Sequence, residues 1–151
     1  MYRNIILATD FSKHSLAALG EIKKIGDVGG CKVTIIHVIA EKDVQMFANM
    51  EGFYTIHFDE IKDKIERHLR SKAEKEMDSL VEELLISGFE VDSIIMVGKP
   101  HREIIIKAKE LCSDLIAIGS HGKSQIEEMF LGSTTEKILR QAPCPVLVVR
   151  A

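Results

Sequence analysis

Apolar residues along the chain alternate between short aliphatic runs and longer stretches with helical spacing, the mark of strands interleaved with helices. Ile5–Ala8, Lys32–Ile39, Val91–Val97, Leu115–Ile118 and Val146–Val149 are five such runs, rich enough in β-branched residues to form buried strands. Between the first two, Leu16, Leu19, Ile22 and Ile25 repeat at intervals of three, predicting a helix that turns this stripe toward a sheet. Ile61, Ile65, Leu69, Ala73, Met77, Leu80, Val81 and Leu84 predict one long amphipathic helix stopped by Gly88. Its other face, with Lys62, Glu66, Arg70, Glu74, Lys75 and Glu82, has the character of a solvated surface. Gly98-Lys99-Pro100 opens a further helix with Ile104, Ile105, Ala108 and Leu111 on its buried side.

Strands alternating with helices predict an α/β fold: a three-layer open sheet of five mainly parallel strands, helices on both faces, right-handed crossovers. Pro143 and Pro145 confine the last strand to an edge, because proline cannot donate to a ladder. The length of 151 residues suits a single domain spanning 1–151, which buries about 68–70% of its unfolded surface without staples. Residues 41–60 hold four of the eight aromatic residues in a weakly periodic segment. Such a segment covers something, either as a satellite cluster on the sheet edge or as a lid or subunit contact.

Charge narrows the partners. A net charge of −3 argues against a nucleic-acid surface, so any anion must be held locally. No apolar run is long enough to cross a bilayer, and the opening MYRNIILATD has no signal-peptide core, so a cytoplasmic location is expected. Cys31, Cys112 and Cys144 are odd in number and lack metal spacing; they are expected to be reduced structural thiols.

The chemistry concentrates in GSHGKSQIEEMFLGS, Gly119 to Ser133, which follows the fourth strand. Ser133-Thr134-Thr135-Glu136 fits a capping box, and Ile138, Leu139 and Ala142 continue at helical spacing. Strand, glycine-punctuated loop and helix start together describe an anion cradle, with Gly119, Gly122 and Gly132 predicted to supply positive φ and close approach. Known alternatives fail on spacing. A P-loop requires glycine where Ala117 stands, no G-x-G-x-x-G follows a strand, and Gly119-Ser120-His121-Gly122 is not a nucleophile elbow.

The loop resembles the nucleotide-binding signature of the universal stress protein family: Gly119, two residues, Gly122, nine residues, Gly132, then Ser133. Ile5 to Ser12, Ile36-His37-Val38, Val97-Gly98 with Pro100-His101-Glu103, and Pro143 to Val149 are similar to further family landmarks in family order. The resemblance implies strand order 3-2-1-4-5, which brings Thr9 and Asp10 beside Gly119. It also implies ATP as ligand, with magnesium held mainly by phosphate oxygens and water. By the same resemblance, Gly122, Gly132, Ser133 and Thr134 surround the phosphates, while Gly119, Ser120 and His121 line the ribose and phosphate side. Asp10 faces the ribose or adenine with Thr9 beside it, Val38 contacts the adenine edge through its backbone, and Val97 forms an apolar wall. Family members that bind ATP often carry proline where this chain has Ala8, a change in turn stiffness that removes no contact.

Plainer roles compete at several positions. Asp10 could cap the following helix, Ser133 could be occupied by its capping box, and Lys123 could be solvated rather than meet a phosphate. No carboxylate stands at an orienting spacing from His121, so no catalytic residue is assigned, and no metal ligand is assigned either. The reading is an ATP-binding regulatory or stress-response protein, a homodimer through its C-terminal edge strand. The alternative is a slow magnesium-dependent ATP hydrolase or ATP-dependent switch. A signalling receiver is disfavoured, because the third strand ends Val97-Gly98 without an aspartate.

Overall fold

A computed structural model of the chain describes residues 1–52, 57–122 and 130–151. Its elements are β1 (Asn4–Ala8), α1 (Lys13–Ile25), β2 (Lys32–Ala40), α2 (Glu41–Gly52), α3 (Phe58–Ile86), β3 (Glu90–Gly98), α4 (Pro100–Glu110), β4 (Leu115–Gly119), α5 (Ser133–Gln141) and β5 (Val146–Val149). The five strands form one sheet in the order β3-β2-β1-β4-β5, and every pairing is parallel. The expected fold class and strand order are thus present.

The pleat separates two apolar clusters, since successive strand side chains point to opposite faces. Ile5, Leu7, Val33, Ile35, Leu115 and Ala117 pack with Leu19 and Ile22 of α1 and with Met77, Leu80 and Leu84 of α3. Ile6, Ala8, Ile36, Val38, Ile116 and Ile118 pack on the other face with Ile104 and Ala108 of α4 and Ile138 of α5. Helices on both faces explain why β1 and β4 are apolar at successive positions rather than alternating.

Three expectations need correction. The buried face of α1 is Ser15, Ala18, Leu19 and Ile22, whereas Leu16 and Ile25 are exposed. A stripe repeating every three residues rotates away from a helix with 3.6 residues per turn, and the i, i+3, i+4, i+7 set stays on the sheet. Leu111 is exposed because it lies just past the last turn of α4, as its C-cap. Arg70 is not simply solvated: its Nη1 donates to the carbonyl of Ile95 at 2.9 Å, so α3 occupies part of the outer rim of β3. Lys32, paired with Asp92 at 2.7 Å, adds charge to the same rim.

Within residues 41–60, α2 buries Val44 and Ala48, one turn apart, and packs on α3. Met46, Phe47 and Met50 of that helix are exposed. Phe53, Tyr54 and Ile56 lie outside the described residues. The stop predicted at Gly88 is a Schellman motif: Gly88 has φ 92°, the Gly88 amide donates to Leu85, and the Phe89 amide donates to Leu84.

Met77 is 2% exposed and bridges α3 to the sheet. Met77→Ala is expected to lower unfolding free energy by about 2–5 kcal/mol with an unchanged denaturant slope, as measured by urea titration.

Candidate functional site

In a parallel sheet the crevice beyond the carboxyl ends opens where strand order reverses, here between β1 and β4. A cavity of about 690 Å³ lies there, within the usual range for small-molecule sites. It is bounded by the turn after β1, the ends of β2 and β3, the loop after β4 and the start of α5.

The turn after β1 is held by its own polar side chains. Ser12 is the N-cap of α1, and Asp10 Oδ1 accepts from the Ser12 amide at 3.0 Å and from Ser15 Oγ at 3.2 Å. Thr9 Oγ1 accepts from the Phe11 amide at 2.9 Å and contacts Ser15 Oγ at 3.0 Å. These bonds hold Phe11 at φ 64°, a left-handed conformation rare for an aromatic residue. The Phe11 ring stacks on His37 at 4.6 Å between centroids, and His37 Nδ1 donates to the carbonyl of Thr9 at 2.8 Å. Asp10 therefore shapes the turn while also lining the cavity, and the helix cap that its plainer reading gave to Asp10 is Ser12.

Close approach, not positive φ, explains Gly119 and Gly122, whereas a Cβ on Gly132 would meet its neighbours no closer than 3.5 Å. Among the described residues the glycines with positive φ are Gly29 and Gly88. A Cβ on Gly119 would stand 2.6 Å from backbone atoms of both His14 and Ser15, a separation that real structures avoid. A Cβ on Gly122 would meet Asp10 Oδ2 at 2.7 Å. Gly132 donates its amide to the carbonyl of Ser120 at 2.8 Å, pinning the two ends of the loop together.

That bond also shifts the start of α5. Gly132, at φ −61° and ψ 151°, is the N-cap, Ser133 is the first helical residue, and no side chain caps the helix. The expected capping box, with Ser133 as cap, is absent. Thr135 instead donates Oγ1–H to the carbonyl of Gly119 at 2.9 Å. The first amides of an α-helix have no partner within it, so an uncapped first turn bordering a cavity is suited to an anion. Lys137 of the same helix, with Lys99 and His101 at the start of α4, also lines the cavity.

Of the predicted site residues, Thr9, Asp10, Val38, Gly119, His121, Gly122, Gly132, Ser133 and Thr134 line this one cavity. Ser120 is fully buried behind it, its hydroxyl engaged with histidines. Val97 does not line it, although its register partner Ile39 does. The adjacent Gly98 lines the cavity instead. Lys123 lies outside the described residues. Phe11, His37, Lys99, His101 and Lys137 were not predicted as site residues. Phe11, His37, Lys99 and His101 stood inside segments noted on other grounds, whereas Lys137 joins the site only through folding.

A family model described as the universal stress protein family matches residues 1–150. Universal stress protein MJ0577 of Methanocaldococcus jannaschii is 34% identical, the alignment covering 99% of this chain and 96% of that protein. A solved structure of MJ0577 superposes with a TM-score of 0.87 over 100% of this chain and 97% of its own. Universal stress protein YxiE of Bacillus subtilis is 31% identical over 99% of this chain and 100% of that protein. A universal stress protein family member from Arabidopsis thaliana, solved with AMP bound, shares the fold at 14% identity, with a TM-score of 0.61 over 98% of this chain and 91% of that one.

His101 protonates less readily than an ordinary histidine, first because burial penalises its charge and then because Lys137, Lys99 and Arg102 repel it. The unfolded chain then binds this proton more tightly, so the contribution to stability is present above the unfolded value of 6.5 and is lost as pH falls below it. Melting scans at about pH 7.5 and about pH 5.5 are expected to show a smaller acid-side drop in His101→Gln than in the unaltered protein.

Proposed function

The chain belongs to the universal stress protein family, and from that membership and the uncapped first turn of α5 we infer that it binds ATP in the cavity between β1 and β4. The triphosphate lies against Gly122, Gly132, Ser133 and Thr134, where main-chain amides meet it and no side chain competes. The base extends toward Val38, and Phe11, stacked on His37, borders the same wall. A fold relative with AMP bound supports a nucleotide as the ligand class. Lys99 and Lys137 add positive charge at the mouth, which favours a polyphosphate over an uncharged ligand.

Magnesium fits this reading as an ion carried by the phosphates. Among the described residues no three His, Cys, Asp or Glu side chains converge as a cage, and magnesium prefers to keep waters and phosphate oxygens. Its role is to neutralise phosphate charge, while the residues of the chain bind and orient the nucleotide. Occupancy of the cavity is then a signal, and the protein is a regulatory, stress-response component.

The reading includes a homodimer. The carbonyl of Pro145 accepts from Ile116 of β4 and that of Val149 from Ser120 just beyond it, so Leu147 also faces β4, and Val146 and Val148 turn their main-chain groups outward. These outward groups have no strand beyond them in the sheet order. A second copy related by a two-fold axis satisfies them.

Two experiments test these statements. ATP at one hundred times its Kd is expected to add about 2.7 kcal/mol to stability, with a corresponding rise in melting temperature. Gly132→Val should remove that rise while keeping the fold, because a Cβ at Gly132 meets its neighbours no closer than 3.5 Å, whereas a branched side chain occupies the phosphate approach. A Gly132→Val protein that still responds to ATP overturns the cradle. For assembly, Val148→Pro deletes an outward amide without touching the β4 ladder, and sedimentation should show a monomer where the unaltered protein is a dimer. A dimer that survives this change places the interface elsewhere.

A further inference from the structure

His121 is 5% exposed, lines the cavity, and has a buried Nε2 with no hydrogen-bond partner. A polar atom left in that condition costs stability, so its chemical state matters. That state follows from a row of contacts that begins outside the cavity.

The main-chain amide of Ala151 donates to His14 Nδ1 at 2.9 Å. An amide always carries its hydrogen, so His14 Nδ1 has none, and the proton of neutral His14 sits on Nε2. Ser120 Oγ lies 3.3 Å from the same Nδ1, so this contact is a hydrogen bond only if the hydroxyl donates. Its single hydrogen is then used. His121 Nδ1, 2.9 Å from Ser120 Oγ, must in turn donate to it. This arrangement makes all three contacts hydrogen bonds, with the one lone pair of His14 Nδ1 shared between a 2.9 Å bond from Ala151 and a longer 3.3 Å bond from Ser120, and it leaves His121 Nε2 with a bare lone pair. The rings of His14 and His121 stand 5.2 Å apart, tilted, which holds the pair in register.

A bare lone pair repels a phosphate oxygen and requires a donor. In a nucleoside triphosphate the donors are the amino group of the base, at the Val38 end, and the ribose hydroxyls, next to the phosphates. His121 immediately precedes Gly122 of the phosphate loop, so the hydroxyl is the donor within its reach. We propose that His14 is a positioning residue which, through Ser120, fixes His121 as the Nδ1–H tautomer, so that Nε2 accepts a hydrogen bond from a ribose hydroxyl of the bound nucleotide. The tautomer stands on the ligand-free geometry; its hydroxyl partner rests on the nucleotide reading above.

Nitrogen-15 NMR of the ligand-free protein reads the tautomers directly. The expected signature is a protonated Nδ1 at His121 and a protonated Nε2 at His14, and a protonated Nε2 at His121 overturns the proposal. For the ligand, calorimetry compares ATP with 2′,3′-dideoxy-ATP. The unaltered protein is expected to prefer ATP by about fivefold or more, the worth of one buried hydrogen bond. His121→Phe and His14→Phe should each bring the ratio close to one. His14→Asn should restore it, because Asn Oδ1 can accept where Nδ1 did. A preference that survives both phenylalanine variants, or equal affinities in the unaltered protein, overturns the hydroxyl contact. If no nucleotide binds while the Nδ1–H tautomer is seen, the ATP reading and its hydroxyl contact both fall and the His14 relay stands.

Discussion

The approach of Gly119 to the first turn of α1 is the contact on which the rest of the site depends. There is no room for a single extra carbon at Gly119, and the atoms it would strike belong to backbone. This closeness brings the loop after β4 against the turn after β1, sets Gly122 beside Asp10, and places the uncapped turn of α5 over the same hollow. Residues more than a hundred positions apart thereby share one wall. The pairing of β1 with β4, from Ile5↔Leu115 to Ala8↔Ile118, carries that closeness into the sheet.

Much of this was legible in the sequence because it is local or periodic. The strands showed as aliphatic runs, the long helix as a repeat, and the glycine spacing as a signature. The errors arise where long-range contacts override local chemistry. Ser133-Thr134-Thr135-Glu136 satisfies the spacing of a capping box, yet the Gly132 amide is bound to Ser120 and the Thr135 hydroxyl to Gly119, so the helix begins one residue away from that pattern. Gly119 and Gly122 suggested backbone freedom, whereas their use is the absence of a side chain. His14 carries no signal, because its partners are Ser120 and the Ala151 amide, both distant in sequence.

Charge is arranged locally, against the trend of the whole chain. The protein is net negative, yet Lys99, His101 and Lys137 gather at one side of the cavity, close enough that the lysines hinder protonation of the histidine. Field lines from such a group are confined by the low-dielectric walls of a cleft, so an anion experiences the mouth rather than the average surface. The polar side chains deeper in, Thr9, Asp10, Ser12 and Ser15, are spent on one another and keep the turn after β1 rigid.

The two rims of the sheet are unlike. Along β3 a guanidinium from α3 takes an outward carbonyl and paired charges crowd the strand's start, while β5 is left bare. A ribbon able to grow at both sides can recruit copies without limit, so a border whose outward groups are already engaged limits strand addition. The arginine on α3 thus makes the two borders chemically unequal, since a strand arriving at β3 would first have to displace a guanidinium from the Ile95 carbonyl.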